Sequence, residues 1–346
     1  MYVYGLYCDT VSIMRINIVA NFEEDYKQFV LLSIQKYFNI NLDNKNYSYL
    51  KELKPHDLYF KYLTDSKRIP PANPRKVYLS KELKENVLYK TYHDSIKNII
   101  NTFEKGNSIR PFLNKDVKHI FKQKCPKDFL LNDWDLYHLH LGKLDQNAKF
   151  CARTKDVLFC RITPTDAYLI QIHNHSKSSF ACRELLTILR DNWIEQYNVQ
   201  KLQGIISLEK ELNDSEYRDL REKGFTTIIN IDGDYCVAPN FGIVSSRDSA
   251  KDVRIAMYQF EVLNTLQKHI FDNAKMIYDF IIRCNIRHKK PSKIHFKLRH
   301  IAKNILIAQD IYSKAIIELE IENQYIVEMI IRINKQTCTV KYEIET

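Results

Sequence analysis

Glycine is scarce in this chain, seven residues in 346, and the shortage excludes several kinds of chemistry. Phosphate cradles need glycine where the backbone must approach an anion closely, yet neither a G-x-x-x-x-G-K-[ST] loop nor a G-x-G-x-x-G fingerprint occurs. Nucleotide-driven motors and dinucleotide oxidoreductases are disfavoured on that ground. The G-x-S-x-G elbow of serine hydrolases, the H-E-x-x-H zinc helix and the EF-hand loop are missing as well. No apolar run approaches the roughly 20 residues that cross a bilayer. The opening MYVYGLYCDTVSIMRINIVANFEED lacks the basic start and small-residue cleavage site of a secretion signal. A cytoplasmic protein without a membrane partner is therefore expected. The eight cysteines, at 8, 125, 151, 160, 182, 236, 284 and 338, stand singly with no C-x-x-C pair, as free thiols do in a reducing compartment.

Negative charge is in deficit too. Fifty-two Lys and Arg face 42 Asp and Glu, a formal net charge of +10. Part of the excess is clustered, in KRIPPANPRK (67–76), KDVKHIFKQK (115–124) and IRHKKPSKIHFKLRH (286–300). Such a balance favours a polyanionic partner, nucleic acid first. The candidate phosphate contacts are Lys67, Arg68, Arg75, Lys76, Arg287, Lys289, Lys290 and Lys293. Solvated lysine faces are the plainer reading of the same charge.

Hydrophobic residues at 45% and charged residues at 27% match an ordinary globular protein. The length exceeds the usual domain of about 100–200 residues, and the patterning predicts an α+β protein in three parts. The first, 1–130, is mixed. It opens with a strand-like run, followed by FEEDYKQFVLLSIQKYF, whose Phe29, Leu32, Ile34 and Phe38 fit an amphipathic helix of about three turns. IPPANP (69–74) must be irregular, because consecutive prolines bar helix and ladder alike, and helical spacing returns from about 81 to 105.

The second part, 131–200, is a small antiparallel β-rich unit flanked by helices. WDLYHLHL alternates, DVLFCRI and AYLIQIHNH are joined by the turn Pro-Thr-Asp, and RELLTILRDNWIEQY closes the unit as a helix. The third, 201–346, starts with a helix capped by Asn213 or Asp214 and stopped by Gly224. An Asp232-Gly233 hairpin follows. Next comes a long helix over 249–283 with Ile255, Tyr258, Val262 and Leu266 along one face, a possible dimer or partner surface. A three-stranded meander with turns near Asn323 and Asn334 ends the chain.

Two His-x-His pairs stand out among eleven histidines. Side chains two apart on a strand share a face. Hence His138 and His140 point one way, while Tyr137, Leu139 and Leu141 point into a core. On the return strand Tyr168, Ile170 and Ile172 make the apolar face, with His173 and His175 opposite. Arg153 and Lys155 lie between. Imidazoles and cations without paired carboxylates suit cleavage of RNA: one His removes the 2′-hydroxyl proton, another protonates the leaving oxygen, and Arg and Lys stabilise the charge that builds up. Tyr168 could add a hydroxyl. The catalytic set expected from the sequence is thus His138, His140, Arg153, Lys155, Tyr168 and His175, with no metal and no cofactor.

A metal cage is the rival reading, since zinc takes histidine readily. The nearby carboxylates are Asp133, Asp135, Asp145, Asp156 and Asp166. HNHS is similar to the HxHP core of JAMM-type metalloproteases, but Arg183 stands where that pattern requires serine. Simple core packing of the histidines is the third possibility.

The order W134-x-x-x-H-L-H-L141, R153-x-x-x-V-L-F159, A167-Y-L-I-x-I172, H175, N192-W193 and L220-R-x-x-G224 resembles a group of bacterial and mobile-element proteins over about 132–250. In that pattern His138, His140, Arg153, Tyr168 and His175 have counterparts and His173 does not. More loosely, a small sheet bearing His, Arg and Lys resembles the metal-independent ribonucleases of barnase, EndoU, colicin and RelE type. That resemblance implies a ribonuclease acting as a toxin or in abortive infection, an antiviral defence, restrained by an inhibitor or triggered by a phage component. A nucleic-acid-binding protein without catalysis and a His-ligated metal-dependent hydrolase are the alternatives.

Overall fold

In the computed structural model, which describes residues 17–145, 148–197, 199–284, 293–302, 305–322 and 325–342, helices and three sheets interleave in an α+β architecture. The chain runs through strand β1 (Ile18–Ala20), helices α1 (Phe22–Phe38) and α2 (Pro55–Ser66), strand β2 (Lys76–Leu79), and helices α3 (Lys81–Glu85), α4 (Val87–Thr91) and α5 (His93–Glu104). Helix α6 (Phe129–Trp134) leads into β3 (Tyr137–His140), β4 (Asp156–Ile162), β5 (Asp166–Asn174) and helix α7 (Glu184–Asn192). Then follow β6 (Gln200–Lys201), α8 (Asp214–Glu222), β7 (Ile229–Ile231) and β8 (Asp234–Val237). Helices α9 (Ala250–Asp272) and α10 (Ala274–Cys284) precede β9 (Ile294–Ala302), β10 (Ile305–Asp310), β11 (Ile316–Glu322), β12 (Tyr325–Ile333) and β13 (Gln336–Lys341). No helix among the described residues is long and apolar enough to cross a membrane.

Two compact units divide the chain. The first holds the described residues of Met1–Leu42, Leu50–Tyr59 and Ala256–Thr346, and the second holds Asp43–Tyr49 and Phe60–Ile255. The consecutive parts expected at 1–130, 131–200 and 201–346 do not coincide with these units, because each core gathers segments far apart in sequence.

In the first unit six strands pair in the order β1-β9-β10-β11-β12-β13, parallel between β1 and β9 and antiparallel elsewhere. The expected three-stranded meander is therefore extended by β9 and β10. Its turn at Asn334 and Lys335 is tight, with φ of 47° and 67°, and the turn near Asn323 lies outside the described residues. Phe22, Phe296, Ile317, Leu319 and Met329 build the core with Leu263, Leu266 and Ile270. The helix expected over 249–283 is interrupted at Asn273, whose side-chain amide donates to the His269 carbonyl at 2.9 Å. Its buried stripe is Ala256, Phe260, Leu263, Leu266 and Ile270. Ile255 and Tyr258 are exposed, correcting the expected face by about one position. Likewise α1 buries Phe22, Val30, Leu31 and Ile34 and turns Leu32 outward.

The second unit is built on a four-stranded sheet ordered β2-β5-β4-β3. One face packs Leu139, Leu158, Cys160 and Leu169 against Leu83, Ile96, Ile99 and Phe103 of α3 and α5. The other packs Val157, Phe159 and Ile170 against Trp134 and against Leu185, Leu186 and Leu189 of α7. The helix expected over 81–105 is three pieces. Ser80 Oγ caps α3 by accepting from the Leu83 N–H, and Asn86 recaps the chain into α4. Residues expected at the start of the WDLYHLHL strand instead close α6, whose cap is Asp128, and Asp135 turns the chain with φ of 59°. Asn213 completes a capping box with Glu216 on α8, and Asp232-Gly233 makes the β7–β8 turn, as the sequence predicts.

Candidate functional site

Register places the histidines. In β3, at the edge of the sheet, His138 lies opposite Phe159 and His140 opposite Val157. Both imidazoles therefore share the face of Val157 and Phe159, and Leu139 and Leu141 enter the opposite core as the alternation requires. Strict alternation fails in β5. Cys160 pairs with Leu169 but Phe159 pairs with Gln171, so Ile170 is an extra residue, a bulge. Ile170 thus joins the core of Phe159, while Ile172, opposite Leu158, joins the other. The expected common face of Tyr168, Ile170 and Ile172 does not exist. Asn86 holds the irregular stretch, its amide donating to Gln171 Oε1 at 2.7 Å and to the Ile172 carbonyl at 3.2 Å. Beyond the bulge His173 returns to the face of Val157.

Just past the end of β5 the His175 N–H donates to the Lys155 carbonyl at 2.6 Å. The following turn is knotted by Asn174, whose Oδ1 accepts from the Ser176 N–H and the Ser179 hydroxyl. This turn folds the third imidazole back over the first two. Ring centroids are 5.6 Å apart for His138 and His140, 5.5 Å for His138 and His175, and 5.3 Å for His140 and His175. One ring nitrogen from each lies within 4.8 Å of the others. Phe180 closes the cluster, 4.9 Å from His138 and 5.1 Å from His175.

His138 is 6% exposed and His140 2%, whereas His175 is open to solvent. Nε2 of His138 and both ring nitrogens of His140 are buried without a hydrogen-bond partner. Each such group costs roughly 1–3 kcal/mol unless something binds it. Burial, then the neighbouring His175 and the cations Arg153 and Arg68, push the His138 pKa down to about 3. Burial and the Arg153 charge likewise hold His140 at about 3. At neutral pH both rings are lone-pair donors.

The remaining expected residues divide. Arg153 is exposed, bonded through Nη2 to Asn114 Oδ1 at 3.0 Å, and close enough to act on His138 and His140 electrostatically. The Lys155 ammonium is exposed and makes no hydrogen bond or ion pair with a described residue; its contribution at the cluster is the backbone carbonyl. Tyr168 is not brought to the histidines. It lies seven residues from His175, about 20 Å along a strand, stacked on Tyr78 at 5.1 Å and edge-on to Trp193. His173 faces Cys182 and Glu184 instead.

His138 and His175 line an open cleft of about 160 Å³. Five basic side chains, Arg68, Lys127, Lys177, Arg218 and Arg221, border it against the acidic Asp116, Asp128 and Glu222. Of the described basic residues expected to contact nucleic acid, Arg68 alone lines this cleft, and it is buried, bonded to Cys125 Sγ and the Pro126 carbonyl. Lys67 is tied to Asp252. Arg75 is a correction: it is buried, and its guanidinium holds the proline loop through the Pro71, Asn73 and Thr163 carbonyls. Lys76 lies over the Tyr78 ring. Lys293 is half-buried at the start of β9, and Arg287, Lys289 and Lys290 lie outside the described residues.

Sequence reasoning missed the support behind the cleft. Arg221 and Asp133 are buried and ion-paired at 3.5 Å. Asp133 Oδ2 accepts from the Tyr217 hydroxyl at 2.7 Å, and Arg221 lies over the Trp134 ring and donates through Nη2 to the Phe180 carbonyl. Burial raises the Asp133 carboxyl above its usual range, with the Arg221 charge opposing. Trp134 and Arg221 both belong to the spaced pattern read in the sequence, which carried no clue to their role. No protein-family model, curated protein or solved structure matches this chain.

Proposed function

We propose that the protein is a metal-dependent hydrolase of phosphodiesters, with RNA as its substrate class, in which His138, His140 and His175 hold one divalent transition-metal ion. The observation that carries this reading is the convergence of three imidazole nitrogens within 4.8 Å beside a cleft bordered by more cations than carboxylates. Three neutral imidazoles with an open fourth position are a recognised catalytic zinc set. Such an ion polarises a phosphoryl oxygen and acidifies bound water. Lys177, which has no ion-pair partner among the described residues, would seat the phosphate beside Arg218, itself paired with Asp219 and Glu222, and Arg153 would oppose its charge.

The metal-free mechanism expected from the sequence needs one imidazole protonated near neutrality. Burial of His138 and His140 opposes that, and favours their use as metal donors. The nearness of Arg153 supports the metal-free route as a second reading, with His175 as the exposed proton carrier. A cytoplasmic toxin or phage-defence setting, with an inhibitor or trigger as partner, belongs to this proposal on the strength of the sequence resemblance alone.

The test is cleavage of labelled RNA by the purified full chain with its bound metal quantified. We expect bound zinc, cleavage abolished by chelator and restored by added zinc, and at least about a 100-fold loss in His140→Ala together with one equivalent of metal. Cleavage that survives chelator, leaves cyclic phosphate ends and disappears in Arg153→Ala would establish the metal-free route instead. Absence of both metal and cleavage would remove both.

A further inference from the structure

The two members of the second His-x-His pair meet different partners at the end of β5. His175 joins His138 and His140. His173 meets Cys182 and Glu184, and one donor atom from each of these three lies within 4.8 Å of the others. His173 Nε2 is 3.6 Å from Glu184 Oε2, and Cys182 Sγ is 3.8 Å from the same oxygen. The thiol donates a long hydrogen bond to that oxygen, but 3.6 Å is too long for a good hydrogen bond of the imidazole, and its Nε2 is buried with no hydrogen-bond partner. A shared ion offers another arrangement. Donors around one tetrahedral zinc, with bonds of about 2.0–2.3 Å, lie roughly 3.3–3.6 Å apart; the two contacts to Glu184 come within a few tenths of an ångström of that range, and the third pair lies within 4.8 Å.

We propose that His173, Cys182 and Glu184 form a second metal site, taking a borderline-soft divalent ion such as zinc. The donor set of one nitrogen, one sulfur and one carboxylate oxygen selects zinc over magnesium or calcium, which prefer oxygen alone. Cys182 and Glu184 also line an open depression, so the ion has an approach from solvent; Asp214 and Asp232 at its border are paired with Arg183 and Arg190. The two sites are distinct. His140 and His173 lie on either side of Val157 in neighbouring strands, about 10 Å apart across two strand spacings, whereas paired catalytic metals lie about 3.5–4 Å apart.

The site's place in the chain gives it a role. His173 lies at the end of β5, Cys182 just precedes α7 and Glu184 begins it, and between them the loop carries His175, Lys177 and Phe180. An ion joining the two ends would staple the loop that delivers the third histidine to the cluster. The second site stands independently of the three-histidine reading, and only this consequence for His175 rests on it.

Cobalt titrated into the metal-stripped full chain tests the proposal, because a thiolate ligand produces a near-ultraviolet sulfur-to-cobalt charge-transfer band that imidazole and carboxylate do not. The expected result is such a band in the native protein, lost in Cys182→Ser and in His173→Ala and retained in His140→Ala. Zinc stoichiometry should fall by one equivalent in Cys182→Ser. No band in the native protein, or a band that survives in both Cys182→Ser and His173→Ala, would overturn the site. Loss of the band in His140→Ala would assign Cys182 to the first cluster and overturn it equally. Failure of the three-histidine reading has a separate signature: full metal content in His140→Ala.

Discussion

At the residue scale the most exacting position is Arg221. Its guanidinium is almost fully buried, pairs with Asp133, lies over Trp134 and donates to the Phe180 carbonyl. Removing one partner of a buried ion pair strands the other charge, which costs about 3–5 kcal/mol. Arg221→Met should therefore lower the urea midpoint sharply, and adding Asp133→Asn should recover much of the loss, since the stranded carboxylate is gone. If the single variant unfolds no more easily than the native chain, the pair is not structural. None of this was legible beforehand. Aspartate and arginine are 88 positions apart, and nothing in local composition marks either as buried.

At the element scale the bulge in β5 decides where the histidines go. Period-two alternation correctly placed His138 and His140 together and opposite Leu139, because β3 has no irregularity. The same rule misassigned Ile172, since one extra residue reverses every side chain beyond it. Helix α9 ends in another irregularity, where His269 sits edge-on to Tyr342 at 4.8 Å and bonds through its carbonyl to Asn273. Burial lowers the His269 pKa below its usual 6.5, with Asp272 opposing. A folded-state pKa below the unfolded one means that the unfolded chain takes up the proton first. Stability is therefore fully present above about pH 6.5 and is lost as the pH falls toward the folded value. Replacing His269 by Gln should flatten the fall in stability between pH 7 and 5, by a fraction of the ~1.4 kcal/mol per pH unit that one proton allows. Parallel urea curves at the two pH values would check it; an unchanged slope would count against a buried neutral His269.

At the scale of the whole molecule the net charge of +10 matters only where it is concentrated and unpaired. Several basic residues that the sequence offered as phosphate contacts are spent within the fold: Arg75 holds a loop, and Lys67 is tied to Asp252. Around the cleft, Lys127 is likewise tied to Asp248 and Arg218 to Asp219 and Glu222, leaving Lys177 as the cation best placed to meet a ligand. If RNA occupies the cleft, Lys177→Ala should weaken binding and reduce the salt slope of log K by about 0.7 per lost phosphate contact to a single strand, and Arg218→Ala should do so less, because Asp219 and Glu222 already meet its charge. Binding measured across a series of salt concentrations reads this directly. A slope unchanged in both variants would place the polyanion elsewhere.

The sequence by itself determined the α+β class, the cap at Asn213, the Asp232-Gly233 turn, and the candidate set around His138, His140 and His175. Each of these follows from local rules: side-chain alternation on a strand, capping by a hydroxyl or amide, and the positive φ that a tight turn requires. Tertiary structure alone decided which members of that set meet. It folded the serine-rich turn so that His175 overlies His138 and His140, sent His173 to Cys182 and Glu184, left Tyr168 at the far end of β5, and buried Arg221 behind Phe180. The physical reason is that register, bulges and buried charge pairs are settled by contacts between segments distant in sequence, and no local pattern encodes them.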